Sequence, residues 1–316
     1  MDARGTAFYP AVDALPTYYG QPAVKPSLYG WTVALYIYIG GLAAGLQIVV
    51  TVAQLLGIPE SEPVAFAGRA IALTGAIAGG LLLIADLHTK QRFYNMLRIF
   101  RPTSPMSIGT YVLMAFGFWS LLAFIVQAFY LQLPAMVFGC LAGATGWWMA
   151  TYTAALLGAT ATPLWAGAPK LLAVRFASSA LATGAAAACL IAIGLAPGSG
   201  MARAFGNLAA LSLLIEFVSS LWSRAALSRM GEGSALLDLP WGPVHVLGVD
   251  LLGAVVPFVL FIVANFFVPI WAFALPASIC ALIGGLLMRG TVLLAGNKSA
   301  CSPEEYFRFA GETNNA

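Results

Sequence analysis

The chain has 316 residues, of which 60% are hydrophobic and only 9% charged, with a mean hydropathy of +0.88 and a formal net charge of +3. That balance excludes an ordinary soluble domain, and so slight a positive excess gives no reason to expect a nucleic-acid partner. No charged side chain lies from Ser27 to Ile58, nor between Arg101 and Lys170. A hydrocarbon core needs about 20 apolar residues per helix, so the chain reads as an all-α, polytopic membrane protein.

Residues 1–27 are polar and rich in Pro and Tyr, with no apolar stretch of the kind a cleavable signal carries. The first helix is therefore expected to be an uncleaved anchor. Eight spans are predicted over 28–56, 65–87, 108–131, 135–157, 171–195, 204–222, 244–268 and 273–295. Pro134 is expected to divide the third from the fourth, Pro163 and Pro169 the fourth from the fifth, and Pro269 the seventh from the eighth. The apolar runs are continuous rather than alternating, which argues against strands. The predicted organisation is a polar segment 1–27, a four-helix bundle 28–162 containing the loop 88–107, a second bundle 163–296 and a tail 297–316.

The spans repeat at an offset of about 139 residues, at which Leu42-Ala43-Ala44-Gly45 falls on Leu181-Ala182-Thr183-Gly184. Four helices separate equivalents, so both halves would enter the membrane from one side, as a parallel repeat. With eight spans the termini share a side. Counting loops assigns that side 13 of the 15 Lys and Arg residues, leaving Arg69 and Arg203 opposite. The positive-inside rule then predicts cytoplasmic termini in a bacterial-type inner membrane.

The four cysteines, Cys140, Cys189, Cys280 and Cys301, lack the spacing of zinc or iron–sulfur sites. His88 and His245 are the only histidines, and a bis-histidine haem would need them to meet from different bundles. Redox work by this chain would thus require a diffusible lipid-soluble carrier. Ionisable groups in a membrane are expensive and so mark function. Asp86 ends the second span, Glu216 lies in the sixth and Asp250 in the seventh, with His245 at its start. Glu216 and Asp250, on consecutive helices at similar depth, are candidates to face one polar cavity and transfer protons. All of these fall in the cytoplasmic half, which predicts proton uptake from that side but no pump across the whole membrane.

The most specific stretch runs from Asp86-Leu87-His88 through Arg92-Phe93-Tyr94-Asn95-Met96-Leu97 to Pro102-Thr103-Ser104-Pro105-Met106-Ser107. It resembles the loop of the polysulfide reductase membrane-subunit (NrfD-like) family, where Asp-Leu-Gly-Arg-Pro leads to Arg-Phe-Trp-x-Met-Leu and Asn-Pro-Thr-Ser-Pro-Met-Ser. Further likeness lies in Thr17-Tyr18-Tyr19-Gly20-Gln21-Pro22, Tyr36-Ile37-Tyr38-Ile39-Gly40-Gly41, Tyr152-Thr153-Ala154 and Thr162-Pro163-Leu164-Trp165. The resemblance covers essentially the whole chain. His88-Thr89-Lys90 replaces the family's Gly-Arg-Pro, and Ala154 replaces a glycine.

The resemblance implies a subunit without haem or iron–sulfur cluster that binds quinone in its first bundle, beside a peripheral iron–sulfur subunit and a catalytic oxidoreductase subunit. Tyr36, Asp86, His88 and Tyr152 are the quinone candidates, with the first, second and last of them expected to line one cavity. Arg92, Phe93, Arg98 and Arg101 are the docking candidates. An ion-coupled transporter and a passive anchor are the rival readings.

Overall fold

The computed structural model describes residues 17–18, 21–22, 29–87, 90, 93–160, 162–195, 200–229, 241–267 and 269–300. Eight helices among them are long and apolar enough to cross a membrane. The spans are α1 (Trp31–Leu55), α2 (Ser61–Asp86), α4 (Pro105–Ala128), α5 (Gln132–Gly158), α7 (Pro169–Leu195), α8 (Met201–Arg229), a π-helical stretch Val244–Val255 continuing into α10 (Val256–Val263), and α11 (Trp271–Ala300). Short helices α3 (Phe93–Arg98), α6 (Pro163–Ala166) and α9 (Trp241–Pro243) join them. Outside the spans, a two-residue strand β1 (Thr17–Tyr18) pairs antiparallel with β2 (Gln21–Pro22). This small exception to an all-helical chain falls in the polar segment ahead of α1.

Prolines set several helix starts, since a missing N–H costs nothing in a first turn. Pro105 follows the N-cap Ser104, whose hydroxyl accepts from the Ser107 N–H, while Pro163 and Pro169 open α6 and α7. Pro134 does not divide two spans; it lies in the first turn of α5. The break is the turn before it, where Tyr130 takes φ 59°. The seventh span holds the largest departure from regular geometry. Pro257 has no N–H to give, and its ring crowds the carbonyl four residues back, just where the wide π turns end.

Helices α1, α2, α4 and α5 form one bundle; α7, α8, α10 with its π segment, and α11 form the other. The two most buried spans, α1 and α7 at 72% each, meet between the bundles. A β-carbon on Gly45 would strike the Ala180 carbonyl, and one on Gly184 the Gly45 backbone. Small residues allow such close backbone approach in a membrane, where lipid supplies no hydrophobic drive between helices. Gly45 and Gly184 are equivalent at the offset of 139, and their contact between the halves is consistent with a parallel repeat.

Candidate functional site

A groove of about 450 Å³ lies between α2 and α4. Its floor is made of small side chains, Ala76, Gly80 and Gly117, and Phe93, Met96 and Leu97 of α3 close one end. Among the described residues Thr110 is the one hydroxyl in the lining, and it already donates to the Met106 carbonyl at 3.0 Å. The groove is thus an apolar slot suited to a flat or chain-like hydrophobic molecule.

Tyr36 and Tyr152 stand behind this slot rather than in its lining. The Tyr36 ring lies beside Gly79, next to the floor residue Gly80, and Tyr152 packs on Gly109, next to Thr110. Both are buried in the same hydrophobic core as Leu113 and Phe116. The Tyr36 hydroxyl has no hydrogen-bond partner among the described residues. Helical side chains lean towards the helix N-terminus, so Tyr36 leans towards Thr32, one turn back. The Thr32 hydroxyl donates to Asp86 Oδ1 at 2.6 Å. Asp86 is exposed at the end of α2. Burial raises the Tyr29 phenol above its usual pKa, and the Asp86 charge raises it further. Asn297 of α11 brackets the Tyr29 backbone, accepting from its N–H at 3.2 Å and donating to its carbonyl at 2.8 Å. The arrangement gathers Tyr36, Tyr152 and Asp86 at one end of the first bundle, although the groove is lined by none of them. His88 and Arg92 lie outside the described residues.

The loop motif has a local structural basis. Ser104 caps α4, Ser107 accepts from the Arg101 N–H at 2.9 Å, and Tyr111 donates to the Leu97 carbonyl at 2.8 Å. These bonds fold α3 back over the groove. Phe93, Arg98 and Arg101 remain exposed on it, with Tyr94, Ile99 and Phe100.

The second bundle carries ionic groups through its interior. His245 receives Arg175 Nη2 at 3.2 Å on one ring nitrogen and meets the Thr291 hydroxyl at 2.9 Å on the other. Asp250 pairs with Arg224 at 2.8 Å and accepts from Ser220 at 3.1 Å. Glu216 is buried within electrostatic reach of Arg175 and Arg289. Arg289 donates to Ser179 at 3.0 Å and to the Gly285 carbonyl at 3.1 Å, and lies 5.7 Å from the Tyr38 ring centre and 5.8 Å from that of Phe176. Its guanidinium fills the space that a β-carbon on Gly41 would need. The π turns help to assemble this cluster, because i→i+5 spacing brings His245 and Asp250 onto one face.

Charge counting assigns Arg69, Arg175 and Arg289 to one or other face of the membrane although each falls within a predicted span, and the structure turns them inward. They are buried at 0%, 2% and 2% exposure within α2, α7 and α11, because hydrogen-bonding partners on neighbouring helices offset their desolvation. Arg224, also counted to a loop, is ion-paired within α8. Arg69 adds a buried charge in the half of the first bundle remote from Asp86. It lies about 12 Å along α2 from Ser61, donating to Gln54 at 2.6 Å and Gln127 at 2.7 Å. A signal for this site was available: Gln47, Thr51 and Gln54 form one polar stripe on an otherwise apolar α1. Glu216 lies about 22 Å along α8 from Met201, near the middle of a helix that continues to Arg229. Among the described residues no cluster of His, Cys, Asp and Glu could hold a metal ion.

A family model described as "Polysulphide reductase, NrfD" matches residues 22–299. The protein is also 34% identical over 89 residues to a polysulfide reductase subunit of Wolinella succinogenes, a match spanning 27% of this sequence and 28% of that relative. The motif-bearing loop, the eight spans and the two bundles all lie within the family match, and this multi-pass membrane protein belongs to the NrfD polysulphide reductase family.

Proposed function

We propose that this protein is the quinone-exchanging membrane subunit of a respiratory reductase complex. The observation that carries this reading is a buried, unpartnered Tyr36 hydroxyl behind an apolar groove of about 450 Å³, with Asp86 at the same end of the bundle. A buried hydroxyl without a partner costs about 1–3 kcal/mol, and a bound carbonyl would remove that cost. A quinone supplies two-electron, two-proton chemistry when bound. Tyr36 and Tyr152 would orient its ring, the floor of Ala76, Gly80 and Gly117 would accommodate its apolar body, and Asp86, held by Thr32, would exchange protons with water. His88 is the remaining candidate beside Asp86.

The Wolinella relative is named as one subunit of a reductase, which supports a multi-subunit assembly. The exposed aromatic and basic groups of the α3 loop, Phe93, Arg98 and Arg101 together with Arg92, are proposed to dock an iron–sulfur subunit that passes electrons to a catalytic subunit. The termini are proposed to be cytoplasmic, in an inner membrane. Removing Arg69, Arg175, Arg224 and Arg289 from the count leaves Arg4, Lys25, Lys90, Arg92, Arg98, Arg101, Lys170, Arg229, Lys298 and Arg308 on that side against Arg203. Of the two proton candidates, Asp250 is already committed to Arg224 and Ser220, which leaves Glu216 as the freer carboxylate. That position also keeps ion-coupled transport as a second reading.

The test is quinone-linked turnover by the intact complex. Gly80→Leu should raise KM for quinone by filling the groove, and Asp86→Asn should lower kcat. Unchanged kinetics in both at limiting quinone would overturn the proposal.

A further inference from the structure

At the end of the first bundle remote from Asp86, a second cavity of about 360 Å³ is lined by Glu62, Pro63, Phe66, Gln127, Ala128, Tyr130 and Gln132. Unlike the α2–α4 groove, it has a built polar wall. Gln127 is 5% exposed; its amide oxygen accepts from Arg69 at 2.7 Å, and its Nε2 lies 3.4 Å from Glu62 Oε2. Arg69 therefore braces the wall from behind without lining the cavity. Phe66, stacked on Phe124 at 5.0 Å, presents an aromatic face, and Tyr130 presents another.

The exposed charge around this cavity is acidic: Glu60 precedes α2 and Glu62 lies in its first turn. Arg69, the nearest cation along α2, is buried behind Gln127, and no Lys or Arg lies between Lys25 and Arg69 or between Arg101 and Lys170. An anionic headgroup would meet carboxylates there, whereas an ammonium would meet Glu62 and two aromatic faces. Phe129, Leu131 and Leu133 stand 72%, 51% and 73% exposed beside the mouth, an apolar rim that suits acyl chains. We propose that this cavity binds the primary ammonium headgroup of an ethanolamine-type phospholipid. A primary ammonium offers three N–H donors, which Glu62 and the Gln132 amide oxygen can accept; a quaternary choline offers none.

The test uses the full-length protein, delipidated in mild detergent and titrated with phosphatidylethanolamine, phosphatidylcholine or phosphatidylglycerol of identical acyl composition. Thermal unfolding and native mass spectrometry report binding. The ethanolamine lipid should give the largest rise in midpoint. Glu62→Gln should weaken its retention about tenfold, or about 1.4 kcal/mol, and Phe66→Leu less. Glu60→Gln, outside the cavity, should leave retention unchanged. Equal stabilisation by all three lipids, or a preference for the glycerol headgroup, would overturn the proposal. Stabilisation by ethanolammonium without acyl groups would instead assign the cavity to a soluble cation.

Discussion

The two bundles share an architecture and differ in what they keep inside. The first holds an apolar groove open between α2 and α4, with its polar groups at the two ends. The second has arginines, carboxylates and a histidine running into its interior. At the offset of 139, Glu216, Asp250 and Arg289 align with Ile77, Tyr111 and Ala150, while Arg69 aligns with Leu208. Ile77 lines the groove and Tyr111 anchors its α3 lid. Positions that carry charge in one half thus shape a hydrophobic slot in the other. Backbone geometry in such a pair is held by small residues where helices touch, and each interior can diverge behind that contact.

The largest expected effect lies at the contact itself. Gly45→Val would drive side-chain atoms into the Ala180 backbone, which cannot swing aside. It should cost about 3 kcal/mol or more, read as a lower thermal midpoint in detergent. Gly80→Ala, whose new carbon meets nothing nearer than 3.9 Å, should be close to neutral. Equal losses would remove the distinction between contact glycines and groove glycines.

Next comes the ionic interior. Arg289→Met leaves Glu216 short of a buried cation and should cost about 3 kcal/mol, with Glu216→Gln on the same chain recovering much of it. A double variant as unstable as the single one would mean that Arg289 acts by packing on Tyr38 and Phe176, and the contrast between the bundles would narrow.

Tyr36→Phe removes a hydroxyl that the fold does not use. Stability should hold or rise slightly, while quinone-linked turnover falls about tenfold, the worth of one hydrogen bond. A parallel loss of stability would show that the hydroxyl has a structural partner. The smallest effect is expected at the lid. Ser104→Ala should cost about 1 kcal/mol as a lost N-cap, visible as faster amide exchange at the start of α4 and absent from α8.

Much of the fold was legible because it depends on length and composition. Eight runs of sufficient length read as eight spans, and the loop beginning at Asp86 pointed to the family through the residues that cap α4 and fold α3. Leu42-Ala43-Ala44-Gly45 suggested a parallel repeat, with which the packing is consistent, but its physical use was not legible: only packing shows Gly45 against α7 and Gly41 under Arg289. The candidate site was partly legible. Asp86, Tyr36 and Tyr152 gather at one end, but the groove near them is built of residues that carry no chemical signal, such as Ala76, Gly80 and Gly117.

Charge counting misassigned Arg69, Arg175 and Arg289 for a physical reason. A guanidinium near the end of an apolar run has the same sequence signature whether it reaches water or turns inward to partners on other helices. Hydropathy fixed the number of spans and their order along the sequence, since every backbone polar group in lipid must be satisfied within its own helix. Which charges the interior accepts was decided only by the tertiary structure, because the partners of Arg69, Arg175, Asp250 and Arg289 lie on other helices, from the adjacent one to one 110 residues away.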